Sequence, residues 1–354
     1  MKLYIRATGN ISPQNSFGHQ PLLVEPVEHW GNRLLAVEPE YKLFIDVKQI
    51  RRMSRIIKMG VAAAMECLQE AGLGLPDAIV TGTAYGCLED TGVFLSKMVE
   101  QQEQLLAPTP FIQSTHNTVG AQIALLLHCN GYNNVFVHRG SSFESALLDA
   151  MLLLKEEEAN NVLVGGLDET TDTSHAILSR FGIYKRQPGS NLNLFSAVSK
   201  GTIAGEGAAF FVLANQPSGN DYAILEALCT FYKPHDIQET ATKIRSFLSC
   251  HSVVPGEIDL LICGRNGDAK EDEIYSHLEQ SVFNGIFSVN YKNLCGEYPT
   301  AVSFALWMAV NITRSGQIPK ILAYKGDNTK RIKRILIYNH FQNTHHSLLL
   351  ISAC

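Results

Sequence analysis

The sequence contains no run of 18 uninterrupted apolar residues, which argues against a membrane-spanning helix. Its opening, MKLYIRATGN, lacks an apolar segment followed by a small-residue cleavage site, so no secretory leader is expected. Eight cysteines include no Cys-x-x-Cys pair, and neither a disulfide framework nor a zinc site is implied. Charge is sparse: 18% of 354 residues are Asp, Glu, Lys or Arg, with a formal net charge of −5. Without a basic face there is no electrostatic case for a nucleic-acid partner. Apolar residues, by contrast, make up 45%, enough for a substantial core and against disorder. The expectation is a soluble cytoplasmic protein with reduced thiols, needing no metal or cofactor. At roughly 150 residues per domain it forms two or three units, or one large double domain.

A faint internal repeat suggests the double domain. Arg51 to Leu73 has Ile57, Val61, Ala64 and Leu68 on one helical face. The stretch closes at Gly72 and Gly74, and Ala78-Ile-Val then runs into the turn Gly82-Thr-Ala-Tyr-Gly86. About 180 residues later, too far apart for a solenoid, the order recurs. Ile237 to His251 reads as a helix, Pro255-Gly256 as a turn, and Ile258 to Cys263 as a strand running into Gly264-Arg-Asn-Gly267. Two fused α/β halves account for this, divided as 1–216 and 217–354 at Pro217-Ser-Gly-Asn220. Further strands are expected at 134–138, 161–165, 209–213, 332–338 and 347–351, with a loop-rich stretch over 182–200. Near-continuous apolar strands suit a sheet covered on both faces.

Several segments together resemble the β-ketoacyl synthase family, which has the thiolase fold. Gly82-Thr-Ala-Tyr-Gly86 followed by Leu88-Glu-Asp-Thr91 is similar to its early Gly-rich strand exit. Ala204-Gly-Glu-Gly-Ala208 matches its Gly-Glu-Gly-Ala turn, and Lys292 four residues before Gly296 resembles Lys-x-x-x-Gly-His. The resemblance runs, with gaps, from about Thr8 to the C-terminus, and it implies two α/β halves in a five-layered α-β-α-β-α arrangement.

An active condensing enzyme of this family has a Cys nucleophile at a strand-to-helix turn and two imidazoles that polarise the thioester carbonyl. By the resemblance, Gly140 occupies the nucleophile position in Gly140-Ser-Ser-Phe-Glu144, although Ser141 and Glu144 keep the spacing of a capping box. Gly264 stands at the first His position and Glu297 at the second, where a carboxylate would repel a developing enolate. The late Gly-Phe-Gly-Gly turn is replaced by Asn339 to His346, bulkier throughout. A helix N-terminus without a nucleophile forms no acyl-enzyme, so catalytic residues are absent by this reading.

The same resemblance suggests roles for other residues. Ser141, Cys263, Lys292 and Cys295 are candidates to line the vacated pocket. Arg139 or His138 could pair with Glu144 or Glu297 as a structural salt bridge. Phe111, Gln113, Thr115 and His116 lie in the segment that crosses the dimer interface toward the partner's acyl channel. Val135 and Val137, with Arg139, lie on the strand that pairs across the two-fold axis. His340, His345 and His346, and the acidic run from Asp268 to Glu273, read as a solvated loop and a charged helix start rather than metal ligands.

What the resemblance implies is a chain-length factor. Such a subunit heterodimerises with an active ketosynthase through an interface above about 2,000 Å2. It shapes the acyl channel of type II polyketide or aryl-polyene-like synthesis and meets acyl carrier protein. The alternatives are an acyl-thioester decarboxylase or hydrolase working through Cys263, Cys295 or Glu297, and a homodimeric scaffold for carrier protein.

Overall fold

In the computed structural model, residues 2–18, 23–187, 189–196, 199–322 and 331–354 are described. Part of the loop expected over 182–200, at residues 188, 197 and 198, therefore lies outside the described residues. Ten strands form one mixed sheet: β1 (Leu3–Ile11), β2 (Ala78–Gly82), β3 (Tyr132–Phe136), β4 (Asn161–Asp168), β5 (Gly207–Ala214), β6 (Ala223–Tyr232), β7 (Leu260–Cys263), β8 (Ser288–Asn290), β9 (Arg334–Phe341) and β10 (His345–Ser352). From the centre outward the first half runs β1-β5-β4-β2-β3 and the second β6-β10-β9-β7-β8. Both halves thus have the same spatial order, with antiparallel pairs inside and parallel pairs outside. The halves join where Leu3–Ile5 pairs antiparallel with Ala223–Leu225.

The helices repeat as well. α1 (Arg55–Ala71) links β1 to β2 just as α7 (Ile237–Cys250) links β6 to β7. Between β2 and β3 lie α2 (Leu88–Glu100), α3 (Pro108–Gln113) and α4 (Thr118–Leu127). α5 (Ser142–Lys155) connects β3 to β4 and α6 (Asp172–Arg180) follows β4. In the second half, α8 (Glu273–Ser281) precedes β8 and α9 (Val302–Ser315) precedes β9.

Strand parity explains the layers. Side chains alternate between faces, so Val162 and Val164 join one core with α5 and α9, while Leu163 and Leu167 join another with α1. In the second half Ile335 and Ile337 face the shared central core, whereas Leu336 and Tyr338 face α7 and α8. The three larger cores, separated by two half-sheets, give the five layers, with α5 and α9 in the middle. Both halves of the chain contribute to that central core.

The boundaries shift for local reasons. The first long helix starts at Arg55 rather than Arg51, because a separate single turn, Val47–Ile50, precedes it. It ends where expected, with Gly72 at φ +63°, a conformation glycine adopts without a Cβ penalty. β3 lies two residues earlier than expected, at the sheet edge. Among the described residues, no helix is long and apolar enough to cross a membrane.

Candidate functional site

The Gly-Glu-Gly-Ala turn builds the floor of the site. Glu206 is buried and accepts hydrogen bonds from the backbone amides of Ala36 and Thr170 and from the Arg55 guanidinium. Beside it, Gly205 passes so close to a second loop that a Cβ would lie 2.0 Å from the carbonyl oxygen of Cys295. That proximity lets Gly205 and Glu297 share a backbone hydrogen bond of 3.0 Å. Gly296, at φ +77°, turns the chain there, and Glu297 is delivered to the floor.

Glu297 is 5% exposed. Lys292 Nζ, itself fully buried, donates to both its oxygens at 2.8 and 3.0 Å and to the carbonyl of His340 at 3.1 Å. Asn266 Nδ2 donates to Glu297 at 2.9 Å and to Glu271 at 2.6 Å. Burial holds the Glu297 carboxyl above the ordinary range even with the Lys292 ammonium against it. Burial, with the nearby Glu297 charge, pushes Glu271 up to about 7, and burial does the same for Glu169. Above this floor is a cavity of about 640 Å3 whose lining includes Tyr85, Glu169, Tyr184, Asn266, Glu271, Glu297 and Phe341.

At the strand-to-helix elbow between β3 and α5, Arg139 adopts φ +52°. A non-glycine residue held there stores about 1–3 kcal/mol, and such residues cluster at functional turns. The elbow residue is therefore Arg139, exposed to solvent, and not Gly140. Gly140 is buried, and a Cβ on it would meet Phe341 Cβ at 2.5 Å. The hydroxyl of Ser142, rather than Ser141, closes the turn by accepting from the His138 amide at 2.8 Å and donating to the Arg139 carbonyl at 2.7 Å. Ser141 makes no capping bond.

Several expectations are corrected by this geometry. Gly264 does not face the cavity: a Cβ there would lie 2.2 Å from Asn339 Oδ1 and 2.8 Å from the Tyr275 hydroxyl. The residue opposite Glu297 is Asn266, two positions on. Cys263 shares parity with Leu261 and is buried among Tyr275 and Tyr338 under α7 and α8. Cys295 lies in the central core. Burial raises both thiols above their ordinary range, so neither supplies a thiolate. None of Ser141, Cys263, Cys295 and Lys292 lines the cavity, though Lys292 reaches its floor through Glu297. The salt bridge expected for Arg139 is made by Lys292 instead; Arg139 and His138 are exposed. His340 and His346 are buried rather than solvated, because β9 and β10 form a tight hairpin with Gln342 and Asn343 at positive φ. Phe111, Thr115 and His116 are exposed near α3, and Gln113 Nε2 donates to the carbonyl of Arg52. Val135 is half-buried and Val137 exposed at the sheet edge.

One buried group in the first turn of α5 has a measurable consequence. Glu144 is 1% exposed, and the Ser347 hydroxyl and the Lys292 ammonium only partly offset the burial of its carboxyl. Burial raises it from the ordinary value of 4.5 to about 7. The folded protein therefore keeps a proton that the unfolded chain releases, and stability falls as pH rises between these values. Glu144→Gln is expected to remove that part of the slope and to gain about 1–3 kcal/mol at pH 8. Urea unfolding at pH 5 and pH 8 measures it; an unchanged difference between the two pH values rejects it.

Sequence comparison agrees with the geometry. The model of the β-ketoacyl synthase N-terminal domain matches residues 34–218, just over half of the chain. The chain belongs to the β-ketoacyl synthase family. No curated protein sequence matches it. Among solved structures it is similar to the ishigamide ketosynthase/chain length factor, at TM-score 0.80 and 16% identity, over 100% of this chain and 99% of that one. It is also similar to the ketosynthase ApeO in complex with its chain length factor ApeC from Xenorhabdus doucetiae, at TM-score 0.75 and 15% identity, over 99% and 98%. A third is the complex titled AntDE:AntF, a type II polyketide acyl-carrier protein with its ketosynthase bound to the hexaketide, at TM-score 0.76 and 15% identity, over 100% and 99%. At these identities the likeness is one of fold.

The elbow thus carries Arg139, and the floor carries Asn266 and Glu297. Both amide hydrogens of Asn266 are already donated to carboxylates.

Proposed function

We propose that the chain is a non-catalytic synthase homologue, a chain-length factor that pairs with an active ketosynthase and shapes its acyl channel. The observation that carries this reading is the elbow. Its backbone is formed and strained, yet it holds Arg139 and a Gly140 packed against Phe341. Neither residue supplies a nucleophile, and acyl-enzyme formation needs one.

The surface supports the partner. β3 ends the sheet with one side of its ladder unpaired, and exposed edges of this kind recruit another strand unless covered. Next to it α5 exposes Leu148 and Leu152, α4 exposes Leu125, and α3 exposes Phe111 and Ile112. A ketosynthase subunit would extend the sheet and cover these residues. One similar complex joins a ketosynthase to its chain length factor and another joins a type II polyketide ketosynthase to an acyl-carrier protein; these support a type II polyketide or aryl-polyene-like system as the reading for this chain, with carrier protein as its second partner.

The test is co-expression with an active type II ketosynthase subunit. A one-to-one complex that condenses, formed from a chain that alone does not, supports the reading. A chain that remains a homodimer would point instead to a scaffold. Within the complex, Phe111→Ala or His116→Ala is expected to change product length while leaving assembly intact, because both side chains are exposed and outside any core cluster. An unchanged product distribution by mass spectrometry removes both residues from the channel.

A further inference from the structure

The cavity above the Glu297 floor has an acidic base. Its volume is about 640 Å3, within the range of sites that enclose a small molecule. Leu88, Leu178 and Ile183 give it apolar walls. Polar hydrogens at the floor are already spent inside the protein. Lys292 donates to Glu297 and the His340 carbonyl, and Asn266 to Glu271 and Glu297. The hydroxyls of Thr170 and Thr202 donate to the carbonyls of Gly205 and Asn266 at 2.7 and 2.6 Å. What the floor presents to a ligand is carboxylate oxygen, from Glu297 and Glu271 and, as a third lining group, Glu169. The two lysines that line the cavity, Lys200 and Lys270, are exposed.

A carboxylate or thioester carbonyl reaching this floor meets acceptors, and the donors left in the lining, the hydroxyls of Tyr85 and Tyr184 and the exposed Lys200 and Lys270, belong to other residues than the floor. An ammonium group meets three acids. The geometry points to a binding site for a primary amine with an aliphatic body, seated with its nitrogen against Glu271 and Glu297. This assignment rests on the cavity and not on the partner subunit, so co-expression and ligand binding fail independently.

The charges around the floor fix the pH dependence. Glu271 is faced by Glu297, Asp268 and Lys292. Glu169 is faced by Glu89, Glu206 and Asp90, and Glu297 by Lys292 and Asp272. Apart from Lys292 these neighbours are acidic, so a bound cation relieves repulsion among them. Because Glu271 and Glu169 ionise at about 7, amine affinity rises as pH passes upward through that value, while a carboxylate probe gains nothing.

Isothermal titration calorimetry of the full chain with octylamine and with octanoate, at pH 6 and pH 8, tests this. Octylamine is expected to bind at least about tenfold more tightly than octanoate at pH 8, the scale of one charge-assisted hydrogen bond, and more weakly at pH 6. Glu271→Gln, which preserves an acceptor for Asn266, should weaken octylamine by about tenfold. Should that variant fail to fold, Glu169→Gln carries the same expectation. Octanoate binding as tightly as octylamine, no octylamine binding, or unchanged affinity in the folded variant overturns the assignment.

Discussion

Replacing Lys292 with methionine is expected to lower the free energy of unfolding by about 3–5 kcal/mol, the usual cost of stranding one member of a buried pair. Lys292 is fully buried, and its three donor contacts go to the two oxygens of Glu297 and to the carbonyl of His340. Against a typical total of about 5–15 kcal/mol, the loss is large enough to read directly from a urea midpoint. The sign of its pH dependence follows from what remains. Without the ammonium, the Glu297 carboxyl is held further above its ordinary range, so the folded state binds a proton that the unfolded chain has released. The loss should therefore be small near pH 5 and full near pH 8. Adding Glu297→Leu to Lys292→Met should restore most of the stability, since an apolar pair carries no desolvation debt. A single variant as stable as the parent at pH 8 would mean that the pair contributes nothing.

The fold was readable because its signals are local and repeated. α1 running into β2, and α7 into β7, both stand in the sequence as helical periodicity, a glycine or proline turn and a short apolar strand. Their shared place in the two halves follows from the same order. The site was less legible, for reasons of register and distance. Cys263 lies next to the expected His position, but alternation along β7 turns it with Leu261 toward the outer core, and that parity was present in Leu260-Leu-Ile-Cys263 from the start. The strand ends at Cys263 as expected, but the motif sets the His position at Gly264, two residues before Asn266. Ser141 and Glu144 have capping-box spacing, yet the strained turn at Arg139 gives the closing role to Ser142 and leaves Glu144 buried rather than capping the helix. Phe341 belongs to a tail, Asn339 to His346, whose sequence signals only bulk. Its contact with Gly140 joins residues about 200 positions apart, and no short-range pattern encodes a contact of that separation. The Lys292–Glu297 pair was within reach of sequence, since five residues and an intervening Gly296 bring the two side chains to one turn.

Two cysteine substitutions one residue apart should behave oppositely. Gly140→Cys places a Cβ 2.5 Å from Phe341 Cβ and 2.8 Å from its ring. Overpacking of this kind costs about 1–3 kcal/mol or more, so its midpoint should fall and its thiol should react slowly with iodoacetamide. Arg139→Cys keeps the φ of +52° that the fold already imposes and removes only an exposed side chain. It should fold like the parent and be alkylated readily, as an accessible thiol at the start of α5. Condensation should still be undetectable. Among the described residues no histidine lines the cavity beside this elbow, and the amide of Asn266 is committed to Glu271 and Glu297. Each absent oxyanion donor costs on the order of 10² to 10³ in turnover, which two missing groups compound. Installing Glu297→His and Asn266→His beside Arg139→Cys is then the smallest change that could bring decarboxylation of a malonyl thioester into view, with Lys292 freed of its partner as the expected penalty in stability. Measurable condensation by Arg139→Cys alone would show that the floor polarises a carbonyl after all. It would return the chain to the catalytic members of its family.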